Sequence, residues 1–177
     1  MKLWESELDP LNPFFAGMHG WHLAWLGRYD DAVSEFRRAL SVVPNYPQPR
    51  WSLMIIAACQ GRDDEALAHM QALFAGMADR EAEQAVLAGA ERGGFAGAMA
   101  SVADSHARRA RSSYVKPTAV ATYYAFAGRT EEALEWIERA FEMRDSDMAY
   151  LGVMPLPEAV RTHSRFVSLV RRMRLPA

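Results

Sequence analysis

The stretch WLGRYDDA, Trp25 to Ala32, admits two readings. It is either a glycine turn presenting acidic side chains to a substrate, or the bend between two helices. The rest of the chain decides for the bend. The same pattern returns as CQGRDDEA (Cys59 to Ala66), more weakly as RGGFAGA (Arg92 to Ala98), and clearly as FAGRTEEA (Phe126 to Ala133). Aligned on Gly27, Gly61, Gly93 and Gly128, the intervals are 34, 32 and 35 residues, and an alanine follows each glycine by five: Ala32, Ala66, Ala98 and Ala133. A catalytic motif has no reason to occur four times in register, whereas stacked helix pairs produce this signature.

Each unit carries the physics of a helical hairpin. An apolar pattern of helix length precedes the glycine, and a second amphipathic pattern follows it. The glycine is free to take the left-handed conformation that ends a helix. Asp30, Asp31, Asp63, Asp64, Glu65, Glu131 and Glu132 fall in the first turn of the second helix, where carboxylates meet free N–H groups and the positive end of the helix dipole. The alanines allow close approach of the two helices. Phe36, Met70, Val102 and Ile137, nine residues after the glycines, are expected core contacts.

These residues resemble the tetratricopeptide repeat family. The first copy matches best, with Leu26-Gly27-Arg28-Tyr29, Ala32, Phe36, Ala39 and the closing Pro44. The second keeps Gly61 and Ala66 but has Asp63 where an aromatic is usual and Leu73 in place of a small residue. The third is degenerate, with Gly89 inside its first helix and Ser105 at a packing position; the fourth keeps Gly128, Ala133, Ile137 and Ala140. The likeness covers residues 13–141 and implies an all-α fold, an α-α superhelix of four helix pairs in one domain. The expected repeats are 13–46, 47–78, 79–113 and 114–147.

Both ends depart from the repeat. SELDPLNP (Ser6 to Pro13) echoes SVVPNYP (Ser41 to Pro47), so residues 1–12 are expected to be the end of a preceding repeat or an N-terminal cap. Residues 148–177 are expected to form a C-terminal cap with an apolar stripe of Phe166, Val167, Leu169, Val170 and Met173. This tail resembles the one that follows such repeats in bacterial adenylate cyclases and winged-helix activators. The likeness rests on Tyr150-Leu151, Pro155-Leu156, Arg161, Arg165-Phe166, Leu169 and Arg171-Arg172. The family's usual Asp-Pro before Arg-Phe is His163-Ser164 here.

The resemblance also implies where binding occurs, because the first helices of successive pairs line a concave groove. Its expected lining is Phe14, Trp21 and Trp25 in the first copy, and Trp51 and Ile55 in the second. The third contributes Glu83, Leu87 and Glu91, and the fourth Thr122 and Phe126. The N-terminal part is aromatic, and apolar surface of that kind marks an interaction site. The lysines and asparagines with which chaperone-binding relatives grip a terminal carboxylate are absent, so the expected partner is an apolar or amphipathic peptide or neighbouring domain, with Glu83 and Glu91 placed for a basic neighbour. Two alternatives stay open: the tryptophans pack on the chain's own helices or on a second copy as a homodimer, or they hold a small molecule.

Composition narrows the remaining classes. The chain has 177 residues, half of them hydrophobic, and a net charge of -2. That balance does not draw nucleic acid or an anionic membrane. Eighteen of the twenty basic residues are arginine, a bias that suits a GC-rich bacterial genome. One cysteine, Cys59, excludes an internal disulfide and suits a cytoplasmic location. His19 and His22 are spaced to reach one metal, but no acid or cysteine nearby completes a zinc set. Cys59 has no evident base. The glycine-rich ERGGFAG (Glu91 to Gly97) follows no strand and precedes no Gly-Lys-Ser/Thr, so it is not a phosphate loop. The basic runs HARRARSS and RRMR read as helix ends. No catalytic residues, metal or cofactor are expected. The module reads as a non-enzymatic protein-binding scaffold of a regulatory or signalling protein.

Overall fold

The computed structural model describes residues 12–175, all of whose regular elements are helical. The expected end of a preceding repeat at 1–12 lies outside the described residues except for Asn12. The chain divides into two compact units, Met1–Arg80 and Glu81–Ala177.

The first unit contains α1 (Pro13–Trp25), α2 (Tyr29–Val42), α3 (Pro47–Cys59) and α4 (Asp63–Gly76). Asn12 starts α1 by accepting the Phe14 N–H on its side chain at 3.0 Å, and Pro13, which has no N–H to lose, takes the first helical position. Gly27 ends the helix in the left-handed region at φ +74°. Arg28 N–H donates to the Leu23 carbonyl and Gly27 N–H to that of Ala24, which satisfies the last free carbonyls of α1. Gly61 repeats the arrangement at φ +68°, with Arg62 donating to Ala57 and Gly61 to Ala58.

The helices pack as antiparallel pairs, α1 with α2 and α3 with α4, and α3 packs against both members of the first pair. The pair α1–α2 is tight because Gly20 faces the Phe36 ring; a β-carbon there would lie 2.6 Å from it. Ala32, Phe36, Ala66 and Met70 are wholly buried, as their spacing from the glycines predicts.

The second unit opens with α5 (Arg80–Arg109), which is two antiparallel arms joined at a break. Gly93 lies at φ -166°, ψ 33°, and Gly94 at φ 58°, ψ -141°. The left-handed residue of the third copy is therefore Gly94 and not Gly93, the residue on which the sequence alignment was set. Taken on Gly27, Gly61, Gly94 and Gly128, the spacing evens to 34, 33 and 34 residues.

The two features that make this copy degenerate in sequence are what hold its arms together. Gly89 crosses Gly97 so closely that a β-carbon would sit 2.3 Å from the Gly97 carbonyl oxygen. Ser105 Oγ donates to Glu81 Oε1 at 2.6 Å. Ala98 and Val102 are buried without exposure.

The unit continues with α6 (Pro117–Phe126) and α7 (Thr130–Glu142), turned at Gly128 (φ +75°) by the same pair of bonds, Arg129 N–H to Tyr124 and Gly128 N–H to Ala125. A 3-10 helix (Ser146–Val153), a single turn α8 (Glu158–Arg161) and α9 (Ser164–Arg172) follow. Buried Asp145 ties this segment to α6, its Oδ2 accepting from both the backbone N–H and Oγ1 of Thr118. The tail folds onto α7, with Phe166, Leu169 and Val170 buried and Arg165 paired to both Glu138 and Glu131. The first of these bonds holds the Glu138 carboxyl below its ordinary range. Val167 and Met173 of the expected stripe are half-buried.

One local expectation is modified. The second-helix acids sit in the first turn as read, but the residue before each helix is an arginine that makes no side-chain cap to the backbone. Arg28 instead pairs with Asp31 at 2.6 Å, Arg62 with Glu65, and Arg129 with Glu132 at 2.7 Å. The favourable charge at the helix start is therefore shared with a repeated Arg-x-x-acid pair.

Candidate binding faces on the first helices

In the first unit the expected face is carried by α1 and α3, which touch directly. Trp21 holds the two together. Its indole Nε1–H donates to Ser52 Oγ at 2.7 Å, and Ser52 in turn donates to the Gln48 carbonyl. The Trp21 ring packs on the core cluster of Leu23, Ala32, Phe36, Leu53 and Ile56. One turn earlier, α1 has Gly17 where Gln48 of α3 comes in; a β-carbon there would meet Gln48 Oε1 at 2.4 Å. The small residue on α1 thus admits the polar residue of α3.

The aromatics of α1 form two groups, one near its start and one around this joint. Trp25 lies 6.1 Å from Trp21 between ring centroids and meets the His22 ring edge-on at 5.4 Å. Phe14 and Phe15 meet edge-on at 5.8 Å. Trp21, Trp25 and Trp51 are half-buried, Phe14 is 54% exposed, and Ile55 is 4% exposed, so Ile55 belongs to the core beneath the face. The sequence reading omitted Ser52 from this face. An indole N–H that must find a partner was the available signal for the serine.

In the second unit Glu83, Leu87 and Glu91 lie at four-residue steps on the first arm of α5. Glu83 is half-buried, Glu91 is exposed and Leu87 is 50% exposed. Thr122 is buried and spent within its own helix, its Oγ1 donating to the Thr118 carbonyl at 2.9 Å. Phe126 is half-buried and packs edge-on against Phe95 at 6.5 Å. The ten predicted residues therefore separate into an aromatic group on α1 and α3, an acid–leucine–acid stripe on α5, and two residues on α6 engaged in packing.

The polar groups elsewhere are structural in geometry. Tyr124 OH donates to Asp104 Oδ1 at 2.9 Å while Arg129 reaches the same oxygen at 2.7 Å and lies over the Tyr124 ring. Burial, with this bond to Asp104, pushes the Tyr124 phenol up to about 12. His106 is buried, its Nδ1 3.1 Å from the Val102 carbonyl and its Nε2 3.0 Å from Arg109. A carbonyl only accepts, so Nδ1 carries the proton and Nε2 accepts from the guanidinium. Among the described residues no group of three or more histidine, cysteine or carboxylate side chains is placed to hold a metal ion. No helix among them is long and apolar enough to cross a membrane.

Residues 121–139, spanning most of α6 and the greater part of α7, match the family model described as tetratricopeptide repeat. No curated protein and no solved structure matches the chain.

Proposed function

We propose that the chain, in which residues 121–139 match the tetratricopeptide-repeat model, is a non-enzymatic binding module whose aromatic first-helix face receives an apolar or amphipathic peptide or a neighbouring domain. Repeats of this family are protein-interaction modules, which supports the general class. The observation that carries the finer reading is the aromatic content of α1, where Phe14 stands more than half exposed near the helix start and Trp25 half-buried at its end. An exposed phenylalanine loses on the order of 2 kcal/mol of available burial, and a run of such rings favours a surface that is covered in use. Trp21, held by Ser52, serves as the rigid base against which Trp25 is presented.

The arginine bias and the tail's likeness to those of bacterial signalling proteins support a bacterial regulatory setting in which this module brings another protein into contact with its parent. The test compares wild type with Phe14→Glu and Trp51→Glu, each first shown by circular dichroism to be fully helical. The captured partner should be lost from both variants. Capture undiminished in both removes the face from the proposal. A wild type that sediments as a dimer, with both variants monomeric, assigns the face to self-association instead.

A further inference from the structure

We propose that α9 is a detachable strap, closed over a seat on α7 by an electrostatic clasp, and that a partner's helix of like chemistry takes the seat when α9 leaves it. The present occupant defines that chemistry. Arg165 stands in the first turn of α9, and the buried side chains Phe166, Leu169 and Val170 follow it by one, four and five residues. The seat therefore suits a helix with an arginine at its start and an apolar stripe behind it. This surface is remote in kind from the aromatic face of α1, and its test is independent of that face.

Arg165 forms the clasp. Its Nε and Nη2 donate to the two oxygens of Glu138 at 2.9 and 2.7 Å, and its Nη1 donates to Glu131 Oε2 at 2.9 Å. The other oxygen of Glu131 lies 3.5 Å from His163 Nε2, while His163 Nδ1 accepts the Arg165 N–H at 3.3 Å and caps α9. A planar fork on one carboxylate with a second carboxylate beside it fixes the direction of the helix. These charges stay in contact with water: the side chains of Glu131, Glu138 and Arg165 are 67%, 45% and 34% exposed. Salt weakens pairs so placed and leaves buried apolar contacts intact.

The helix does not fill its seat. It packs chiefly on α7 and α8, and an open cleft of about 590 Å³ lies between α7 and α9. The side chains of Ser164, Ser168 and Glu142 line this cleft and bond to no described residue. At the far end Arg172 lies over the Phe141 ring at 5.0 Å, a second contact made by a cation. Val160 of α8 is wholly buried, so the joint on which α9 turns is Thr162–His163, between the end of α8 and Ser164. Opening uncovers three apolar side chains, which keeps the closed form dominant and the open form a minor, local one. A competing helix that remakes the clasp and covers the same apolar surface recovers what α9 gives up.

Hydrogen exchange of the full chain, followed by mass spectrometry, reads the opening without any substitution. Raising NaCl from 50 mM to 1 M should speed exchange of residues 167–172 about three- to ten-fold relative to α7. Exchange in α9 as slow as in α7 and indifferent to salt overturns the strap. The seat is probed with a fluorescein-labelled peptide of residues 163–173, titrated with the full chain and followed by anisotropy. Arg165→Gln weakens the resident helix, so that chain should bind the peptide about three- to five-fold more tightly than wild type. Adding Glu131→Gln and Glu138→Gln to it should remove the gain, with circular dichroism showing all chains equally helical. Equal affinity of wild type and Arg165→Gln, no binding by either, or a gain that survives loss of both glutamates overturns the seat. A wild type that sediments as a dimer, dispersed by Glu131→Gln with Glu138→Gln, gives the seat to α9 of a second copy and overturns the separate partner.

Discussion

The first helices of the two units occupy equivalent places in the repeat yet are built from opposite materials. On α1 the face is aromatic, and the fit to its neighbours is made by large rings meeting glycine, as Phe36 does at Gly20. On the first arm of α5 the exposed face is acidic, and the fit is made by glycine against backbone at Gly89 and Gly97, with polar bonds such as Ser105 to Glu81 closing the hairpin. The turn geometry is common to both, so the backbone plan does not depend on which side chains fill it. A repeat of this sort leaves the first-helix surface free to vary.

The contrast predicts where each unit breaks. Phe36→Ala removes a fully buried ring and should cost the first unit about 3–5 kcal/mol, read by urea denaturation, because Gly20 cannot close the space. In the second unit the weak point is a place with no side chain at all. Gly89→Ala should cost about 1–3 kcal/mol, since the added methyl meets a carbonyl oxygen that cannot swing aside. If Gly89→Ala is neutral, the close crossing is not what sets the α5 hairpin, and the contrast between the units fails.

Smaller effects separate the turns. First helices end on left-handed glycines, but two of the second helices, α4 and α7, are followed by Ala78 and Arg144, both at φ 54°. These residues hold a conformation that L side chains resist, so Ala78→Gly and Arg144→Gly should each raise stability by about 0.5–1 kcal/mol in thermal melts. A loss in both would show that side-chain contacts at those positions outweigh the backbone strain.

The smallest expected effect concerns pH. Burial, reinforced by Arg50, lowers the His69 pKa below the ordinary histidine value of 6.5. The unfolded chain therefore takes up the proton first. The contribution of neutral His69 is present above pH 6.5 and is lost as pH falls through the lowered folded value. Urea midpoints of wild type should decline over that range, and His69→Gln should flatten the decline; an unchanged slope would remove His69 as its source.

The helical plan was legible because it is local and periodic. A glycine that must be left-handed, and an alanine and a large apolar residue at fixed distances after it, announce each hairpin in sequence. The core register set from Gly93 holds at Ala98 and Val102, but Gly93 and Gly94 are equivalent as letters, and only backbone angles show that the second takes the left-handed turn. The arginine before the second helix of the first, second and fourth copies is visible in sequence, but its pairing with the acid three residues on is not, since that acid already suits the helix dipole. Exposure was the least legible property. Trp21 and Phe14 have the same apolar signature, yet one is anchored by a serine 31 residues away and the other stands in the open. Ile55 and Thr122 share the register of the face but lie beneath the surface, since period marks a helix face without saying what covers it.

The most direct test of the aromatic face places a photo-activatable phenylalanine at position 14, on the exposed rim of α1, and another at position 37, exposed on α2. Irradiation in the source cells, followed by mass spectrometry, reads which position has a neighbour. A covalent adduct to a separate protein at position 14, with none at position 37, is the predicted result. Adducts only at position 37, or none at position 14 while the variant remains folded, would contradict the assignment of α1 as the binding face.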